Sequence, residues 1–206
     1  MDLAVAATAF LLIVPVELPD KTFIATLVLA TRFRALYTWI GVGLAFAVQS
    51  LIAVLLGGLL NQLPRTPVAI LAMALFAVGA VVLWRGAASA DVEEAATEEE
   101  FAAKVHSTRV SGLREIAVSF TVLFLAEWGD LSQLLTAGLA ARSGDPVSVF
   151  VGAWAALLVV SGAAALLGRT VLARMRLSRV HQVGAVVCAI LAVLTGLSLL
   201  GLDLHI

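Results

Sequence analysis

Two short acidic motifs hold the residues of this 206-residue chain that could do chemistry. The first reads Glu-Leu-Pro-Asp-Lys-Thr over residues 17–22, and the second reads Glu-Trp-Gly-Asp-Leu-Ser over residues 127–132. A spacing of three puts Glu and Asp about 60° apart on a helix, so each motif presents two carboxylates on one face. The candidate metal ligands are therefore Glu17, Asp20, Glu127 and Asp130.

Further oxygen donors lie beside the carboxylates, namely the hydroxyls of Thr22 and Ser132 and the side-chain amide of Gln133. A site built only from such oxygen ligands favours Ca²⁺, Mn²⁺ or Mg²⁺. Lys21 stands four residues after Glu17 and could pair with it when no metal is bound. Its role is open between a coupling element and a charge-neutralising or snorkelling side chain.

The composition identifies the chain as a membrane protein. Hydrophobic residues make up 62% and charged residues 13% of the chain, and the mean hydropathy is +1.07. A soluble domain carries about twice that share of charge. The formal net charge of -1 argues against nucleic-acid binding. One cysteine and three histidines provide neither a disulfide nor a zinc cluster, and no resident cofactor is expected.

Hydropathy predicts an all-α integral membrane protein with six transmembrane helices, since a bilayer core needs about 20 apolar residues per helix. The predicted spans cover residues 3–30, 37–60, 67–84, 115–141, 146–167 and 180–202. The first is interpreted as a retained span, because a secretory signal would begin with basic residues and here the only early charge is Asp2.

Basic residues predict the orientation of these spans. The first, third and fifth loops contain ten Lys and Arg residues, and the opposite side contains only Arg65 and Arg142. The basic loops should face the cytoplasm, so both termini are expected to be extracytoplasmic in the plasma membrane of a bacterium. The acidic run within residues 91–100 is most simply a solvated linker.

An internal repeat relates the two motifs. Residues 17–32 and 127–142 share six identities over 16 positions, at a displacement of 110. When the displacement is increased by one residue, Gly41 matches Gly152 and Ser50 matches Ser161. The sequence thus predicts a three-helix repeat at 1–85, a cytoplasmic linker at 86–114 and a second repeat at 115–206. Three spans per half make the repeats inverted, an arrangement typical of secondary transporters.

Carboxylates at membrane depth need a compensating partner. Each costs about 2.5 to 3.5 kcal/mol at the centre of a span unless it is paired, hydrated, protonated or bound to metal. Desolvation favours the neutral carboxyl group, so protons could compete with a cation and be exchanged for it. The alternative is a polar network that only joins helices. One lysine cannot neutralise four acids, which favours the cation site.

The paired motifs resemble those of the Gdt1 family of membrane transporters, in which each three-helix half carries Glu-x-Gly-Asp-(Lys/Arg)-(Thr/Ser). The resemblance implies a transporter that exchanges Mn²⁺ or Ca²⁺ for protons, with the four motif acids as ligands. Two positions depart from the pattern: Pro19 replaces the glycine of the first motif, and Leu131 replaces the basic residue of the second. The loss of one positive charge could change ion preference or proton stoichiometry.

Two other functions fit the same residues. A small cationic solute, such as a basic amino acid, could be the cargo of the same acids. An intramembrane aspartyl hydrolase could use Asp20 and Asp130, but the glutamates recur as faithfully as the aspartates, so a transporter and not an enzyme is expected. The expected partners are a divalent cation, protons and membrane lipid. A monomer can be complete, because one chain contains both halves.

Overall fold

The computed structural model describes residues 1–17, 21–60, 65–88, 112–172 and 177–199. Within these ranges the chain is helical and contains no strand, which confirms the predicted all-α class. The eight described helices are α1 (Leu3–Glu17), α2 (Lys21–Arg32), α3 (Ala35–Leu60), α4 (Arg65–Gly86), α5 (Gly112–Ala126), α6 (Leu131–Ser143), α7 (Pro146–Leu172) and α8 (Leu177–Leu199).

Two of the predicted spans are single long helices. The second and fifth correspond to α3, of 26 residues, and α7, of 27 residues. Both are long and apolar enough to cross a membrane. Large apolar side chains are exposed along their outer faces, for example Leu44, Leu51 and Val159, as lipid contact would require.

The first and fourth predicted spans are each divided into two helices. The axes of α1 and α2 differ by 73°, and residues 127–130 separate α5 from α6. Counting α1 and α2 as one span, up to three spans occur among the described residues. The count of six remains a prediction, as does the linker at 86–114, most of which lies outside the described residues.

Hydrogen bonds between helices establish how the first repeat runs relative to the second. The backbone N–H of Arg34, just before α3, donates to Glu115 in the first turn of α5 at 3.0 Å. Further along, Gln49 Nε2 donates to the carbonyl of Phe124 at 3.2 Å. Residue numbers increase together along both helices, so α3 and α5 are parallel and begin at the same end of the molecule. We call it the α3 end.

The corresponding pair α1 and α7 begins at the opposite end, here called the α1 end. The backbone N–H of Asp2 donates to Ser148 Oγ at 2.7 Å, so both helices begin there. Trp39 Nε1 donates to the carbonyl of Leu158, and Trp154 Nε1 donates to that of Gly43, each at 2.9 Å. Those two bonds make α3 and α7 antiparallel. Hence α1 and α5, which occupy equivalent positions in the two predicted repeats, run in opposite directions.

Repeat-related glycines make equivalent contacts in the two halves. A Cβ atom on Gly41 in α3 would collide with the carbonyl oxygen of Ile116 in α5. One on Gly152 in α7 would collide with the carbonyl oxygen of Ala6 in α1. Ile116 and Ala6 are themselves related by the displacement of 110. Both pairs of helices therefore need a glycine for backbones to approach this closely.

Apolar packing surrounds the helix breaks. One cluster joins α1, α2, α3, α5 and α7 and includes Ile13, Ile24, Phe46, Leu123 and Leu157. A second joins α1, α4, α6 and α8 and includes Val16, Phe76, Leu135, Cys188 and Leu191. The helix ends that flank the two motifs thus lie between two packed regions.

Candidate cation site

Two motif glutamates are buried where helices end. Glu17 is the last residue of α1 and is 1% exposed, and Glu127 directly follows α5 and is 5% exposed. Since α1 and α5 run in opposite directions, the glutamates terminate oppositely oriented half-helices. The negative end of a helix dipole favours a cation nearby.

The helices that flank the two breaks contact one another. Helix α1 contacts α6, and α2 contacts α5, so each half-helix meets the other repeat. Val16, next to Glu17, lies in one cluster with Leu135, and Leu131 packs against that cluster. Leu123, one turn before Glu127, shares the other cluster with Ile24. Glu17 and Glu127 therefore lie where helices of the two predicted repeats contact one another.

Asp130 is the N-cap of α6. Its backbone is extended, with φ −66° and ψ 162°, and its carboxylate accepts a hydrogen bond from the backbone N–H of Ser132. That bond is 3.1 Å long. An aspartate at this position satisfies an N–H group that the first helical turn leaves unpaired. The cap fixes the carboxylate at the start of α6, beside the break.

Gln133 joins the two sides of the second break. Its Nε2 donates to the carbonyl oxygen of Glu127, and its Oε1 accepts from the backbone N–H of Gly129 at 3.2 Å. Both polar ends of the side chain are thus engaged with the motif backbone. The arrangement gives Gln133 a supporting position, in which it orients the segment that carries Glu127.

The two hydroxyl groups that were predicted as oxygen ligands, those of Thr22 and Ser132, are buried near the starts of α2 and α6. Thr22 is 1% exposed and Ser132 is 5% exposed. Among the described residues, Thr22 Oγ1 and Thr26 Oγ1 have no hydrogen-bond partner. The repeat counterpart of Thr26 is Thr136, whose Oγ1 donates to the carbonyl of Ser132 at 2.7 Å. Thr26 and Thr136 were not predicted as site residues, although their identity in the repeat was a usable signal.

Part of the predicted site lies outside the described residues. Asp20 is in the undescribed segment 18–20, and Lys21 begins α2 with a side chain that is likewise not described. Among the residues that are described, no three Asp, Glu, His or Cys side chains form a group able to hold a metal ion. The four-carboxylate site therefore remains a prediction.

Of the two departures from the family motif, Leu131 lies among the described residues. Leu131 packs against the apolar cluster of Val16, Phe76 and Cys188, and its Cδ1 lies 2.9 Å from where a Cβ on Gly79 would be. An apolar environment thus surrounds the position where a basic residue was expected. Gly129 has φ +81°, whereas a proline ring holds φ near −65°. A proline could not adopt the turn that Gly129 forms, and Pro19 itself lies outside the described residues.

Gln49 is a further residue near the site that the sequence interpretation missed. It is a buried glutamine within the apolar helix α3, and its bond to Phe124 satisfies a carbonyl in the last turn of α5. A polar side chain inside an otherwise apolar span was the available signal. Its partner, 75 residues away in the chain, could not be inferred from spacing.

Comparison with known proteins gives a family match over most of the chain. The family model described as divalent cation/proton antiporter GDT1 matches twice, over residues 5–91 and 115–201. The two matched segments are displaced by 110 residues, like the two motifs. No solved structure matches the chain.

Three relatives illustrate the range of similarity. The chain is 32% identical over 198 residues to the GDT1-like protein sll0615 of a Synechocystis species, covering 92% of this chain and 96% of the relative. It is 34% identical over 168 residues to the chloroplastic GDT1-like protein 1 of Oryza sativa subsp. indica, covering 72% and 49%. It is 32% identical over 178 residues to the chloroplastic protein PAM71 of Arabidopsis thaliana, covering 78% and 47%. The chain spans about half the length of these chloroplastic relatives.

Proposed function

The chain belongs to the GDT1 family of divalent cation/proton antiporters, and from this premise we propose that it exports Mn²⁺ or Ca²⁺ from the cytoplasm in exchange for protons. The cation is held between the two Glu-x-x-Asp motifs, with Glu17, Asp20, Glu127 and Asp130 as ligands. Lys21, Thr22, Ser132 and Gln133 support the site or couple it to protons.

The observation that carries this proposal is the burial of Glu17 and Glu127 at the ends of two oppositely directed half-helices. Half-helices that meet at a break, one from each repeat, are where inverted-repeat transporters bind substrate and coupling ions. Buried carboxylates also favour hard divalent cations, because such ions take oxygen ligands.

Charge compensation gives a physical reason for exchange. Two buried carboxylates are neutralised either by one divalent cation or by two protons. Two carboxylates without any compensating partner at membrane depth would cost up to about 5 to 7 kcal/mol, which is an upper bound for Glu17 and Glu127. A site that changes its exposure from one side to the other without cargo would lose the compensation that the cargo supplies. Movement is therefore favoured only when the acids carry a cation or protons, which is the condition for antiport.

The distribution of arginine supports the proposed orientation. Among the described residues, the α3 end carries Arg32, Arg34, Arg85 and Arg114, whereas the α1 end carries Arg65 and Arg142 together with Asp2 and Asp145. Because cytoplasmic loops carry an excess of basic residues, the α3 end is proposed to face the cytoplasm. The N-terminus, at the α1 end, is then extracytoplasmic.

Flux measurements on purified protein in liposomes test the proposal. With a metal-sensitive dye inside the vesicles, a pH gradient should drive Mn²⁺ or Ca²⁺ movement, and Glu127→Gln should abolish it. Glu115→Gln is the matched control, because it makes the same change in a buried glutamate at the start of α5, which accepts a hydrogen bond from the backbone N–H of Arg34 away from the break. Unchanged flux in both Glu17→Gln and Glu127→Gln would overturn the site assignment.

The same vesicles distinguish the other candidate cargo. If the acids bind a basic amino acid instead, a proton gradient should drive accumulation of arginine or lysine, and Mn²⁺ should compete with it for one flux. Metal movement without competition by either amino acid supports the divalent cation as substrate.

A further inference from the structure

Two contacts establish which part of α3 lies beside the second helix break. At one level, Gln49 Nε2 bonds to the carbonyl of Phe124 in α5 at 3.2 Å. Further along, a Cβ on Gly57 would collide with the carbonyl oxygen of Ala137 in α6 and would lie 2.8 Å from Ala140 Cβ. Residues 50–56 of α3 therefore run alongside the segment that joins α5 to α6, which is the second motif.

Ser50 is the only polar residue between positions 50 and 56 of α3. From residue 50 to residue 57 the buried positions are Ser50, Ala53, Val54 and Gly57, whereas the leucines at 51, 55 and 56 are exposed. A spacing of three, four and seven residues places the buried positions on one face of the helix. Ser50 thus lies on the same face of α3 as Gly57. Along the helix axis it is about 10 Å closer than Gly57 to the level of Phe124.

The hydroxyl of Ser50 is buried without a partner. The residue is 2% exposed, and Ser50 Oγ makes no hydrogen bond to any described residue. Its repeat counterpart, Ser161, donates instead to the carbonyl of Leu158 in its own helix at 3.3 Å. A buried polar group without a partner is unfavourable unless something binds it. Ser119 Oγ is equally unpartnered, but Ser50 lies at the level of the second motif, and these two observations together point to a ligand on the α3 side.

We propose that Ser50 Oγ is an additional oxygen ligand of the transported cation, contributed by α3 on the side of the second motif. The inference rests on the proposed function and adds a residue to that site. A hydroxyl suits the role because hard divalent cations take six or more oxygen ligands, and a neutral ligand adds coordination without changing the number of protons exchanged.

Ser50→Ala tests this role, with Ser119→Ala as the matched control. Ser119 in α5 is also fully buried with an unpartnered hydroxyl, but it packs near Gly41, about 12 Å before Glu127 along the helix. Mn²⁺ affinity is measured on purified protein by electron paramagnetic resonance, and transport is measured in liposomes. Ser50→Ala should weaken Mn²⁺ binding by about ten-fold or more, the scale seen when partners of metal sites are removed.

The outcomes separate this inference from the proposed function. If the wild-type protein neither binds nor moves Mn²⁺ or Ca²⁺, the proposed function fails. If the wild type is active and Ser50→Ala binds Mn²⁺ as tightly as Ser119→Ala does, only the Ser50 inference is overturned.

Ser50→Cys supplies a second test that does not depend on how Ser50→Ala folds. It preserves the shape of the side chain while replacing a hard oxygen with softer sulfur, which favours Cd²⁺ over Mn²⁺. The proposed contact predicts a higher ratio of Cd²⁺ to Mn²⁺ affinity than in the wild type. An unchanged ratio would overturn the contact.

Discussion

Gly57 allows α3 and α6 to pack closely beside the second motif, and Gly57→Ala tests how much this approach matters. The added Cβ would lie 2.8 Å from Ala140 Cβ and would collide with the carbonyl oxygen of Ala137. Ordinary van der Waals contacts of a Cβ lie at 3.4–4 Å. The neighbouring atoms are backbone and a short side chain, so relief requires the helices to separate.

The adjacent residue provides the control. Gly58 belongs to the same helix, and a Cβ on it would meet nothing within 4 Å. Both substitutions gain up to about 1 kcal/mol from the higher helix propensity of alanine. Only Gly57→Ala overpacks the contact between α3 and α6, and overpacking typically destabilises the folded state by about 1 to 3 kcal/mol. The free energy of unfolding of Gly57→Ala should therefore be lower than that of Gly58→Ala by about 1 to 3 kcal/mol.

Unfolding of the purified variants in detergent measures this difference. Separation of α3 from α6 should also move Ser50 away from the second motif, so Gly57→Ala should bind Mn²⁺ more weakly than Gly58→Ala. Equal stability of the two variants would refute the reasoning, because it would mean that α3 and α6 have room for a methyl group at Gly57.

Gln133→Leu should leave the protein inserted in the membrane but weaken Mn²⁺ binding by about ten-fold, since it removes both hydrogen bonds that orient the second break; wild-type affinity in a titration would contradict this. Hydrogen bonds from the Ser148 side chain and backbone lower the pKa of Asp145 from its ordinary value of 3.8. A carboxyl group with a lowered pKa stabilises the folded state at pH values above its ordinary pKa. This stabilisation is lost as the pH falls through the folded-state pKa. The difference in thermal unfolding midpoint between wild type and Asp145→Asn should accordingly be full at about pH 6 and shrink below about pH 4; a difference that is constant with pH would contradict the assignment.

The features that could be predicted from the sequence are local or averaged over many residues. Apolar runs indicated helices because hydropathy is a property of the whole span. The displacement between the motifs identified matching positions, and at Gly41 and Gly152 the structure has equivalent close contacts. The motif residues indicated the Gdt1 family, which the family match confirms. Burial of Glu17 and Glu127 follows from their position within apolar segments.

Contacts between distant parts of the chain needed the tertiary structure. The 73° angle between α1 and α2 does not follow from hydropathy, because apolar residues lie on both sides of the break and do not indicate a change of direction. The apolar packing of Leu131 depends on α1, α4 and α8 meeting there. Asp20 remains a predicted ligand, since it lies outside the described residues.

By itself, the sequence determined the helical class, the register of the repeat and the residue types that could bind a hard cation, because these depend on composition and spacing along the chain. The tertiary structure alone decided the directions of the helices, the supporting bonds of Gln49 and Gln133, and the burial of Ser50 beside the second motif. Those features depend on which helix faces pack and form hydrogen bonds with one another. The spacing of residues along the chain does not specify these partners.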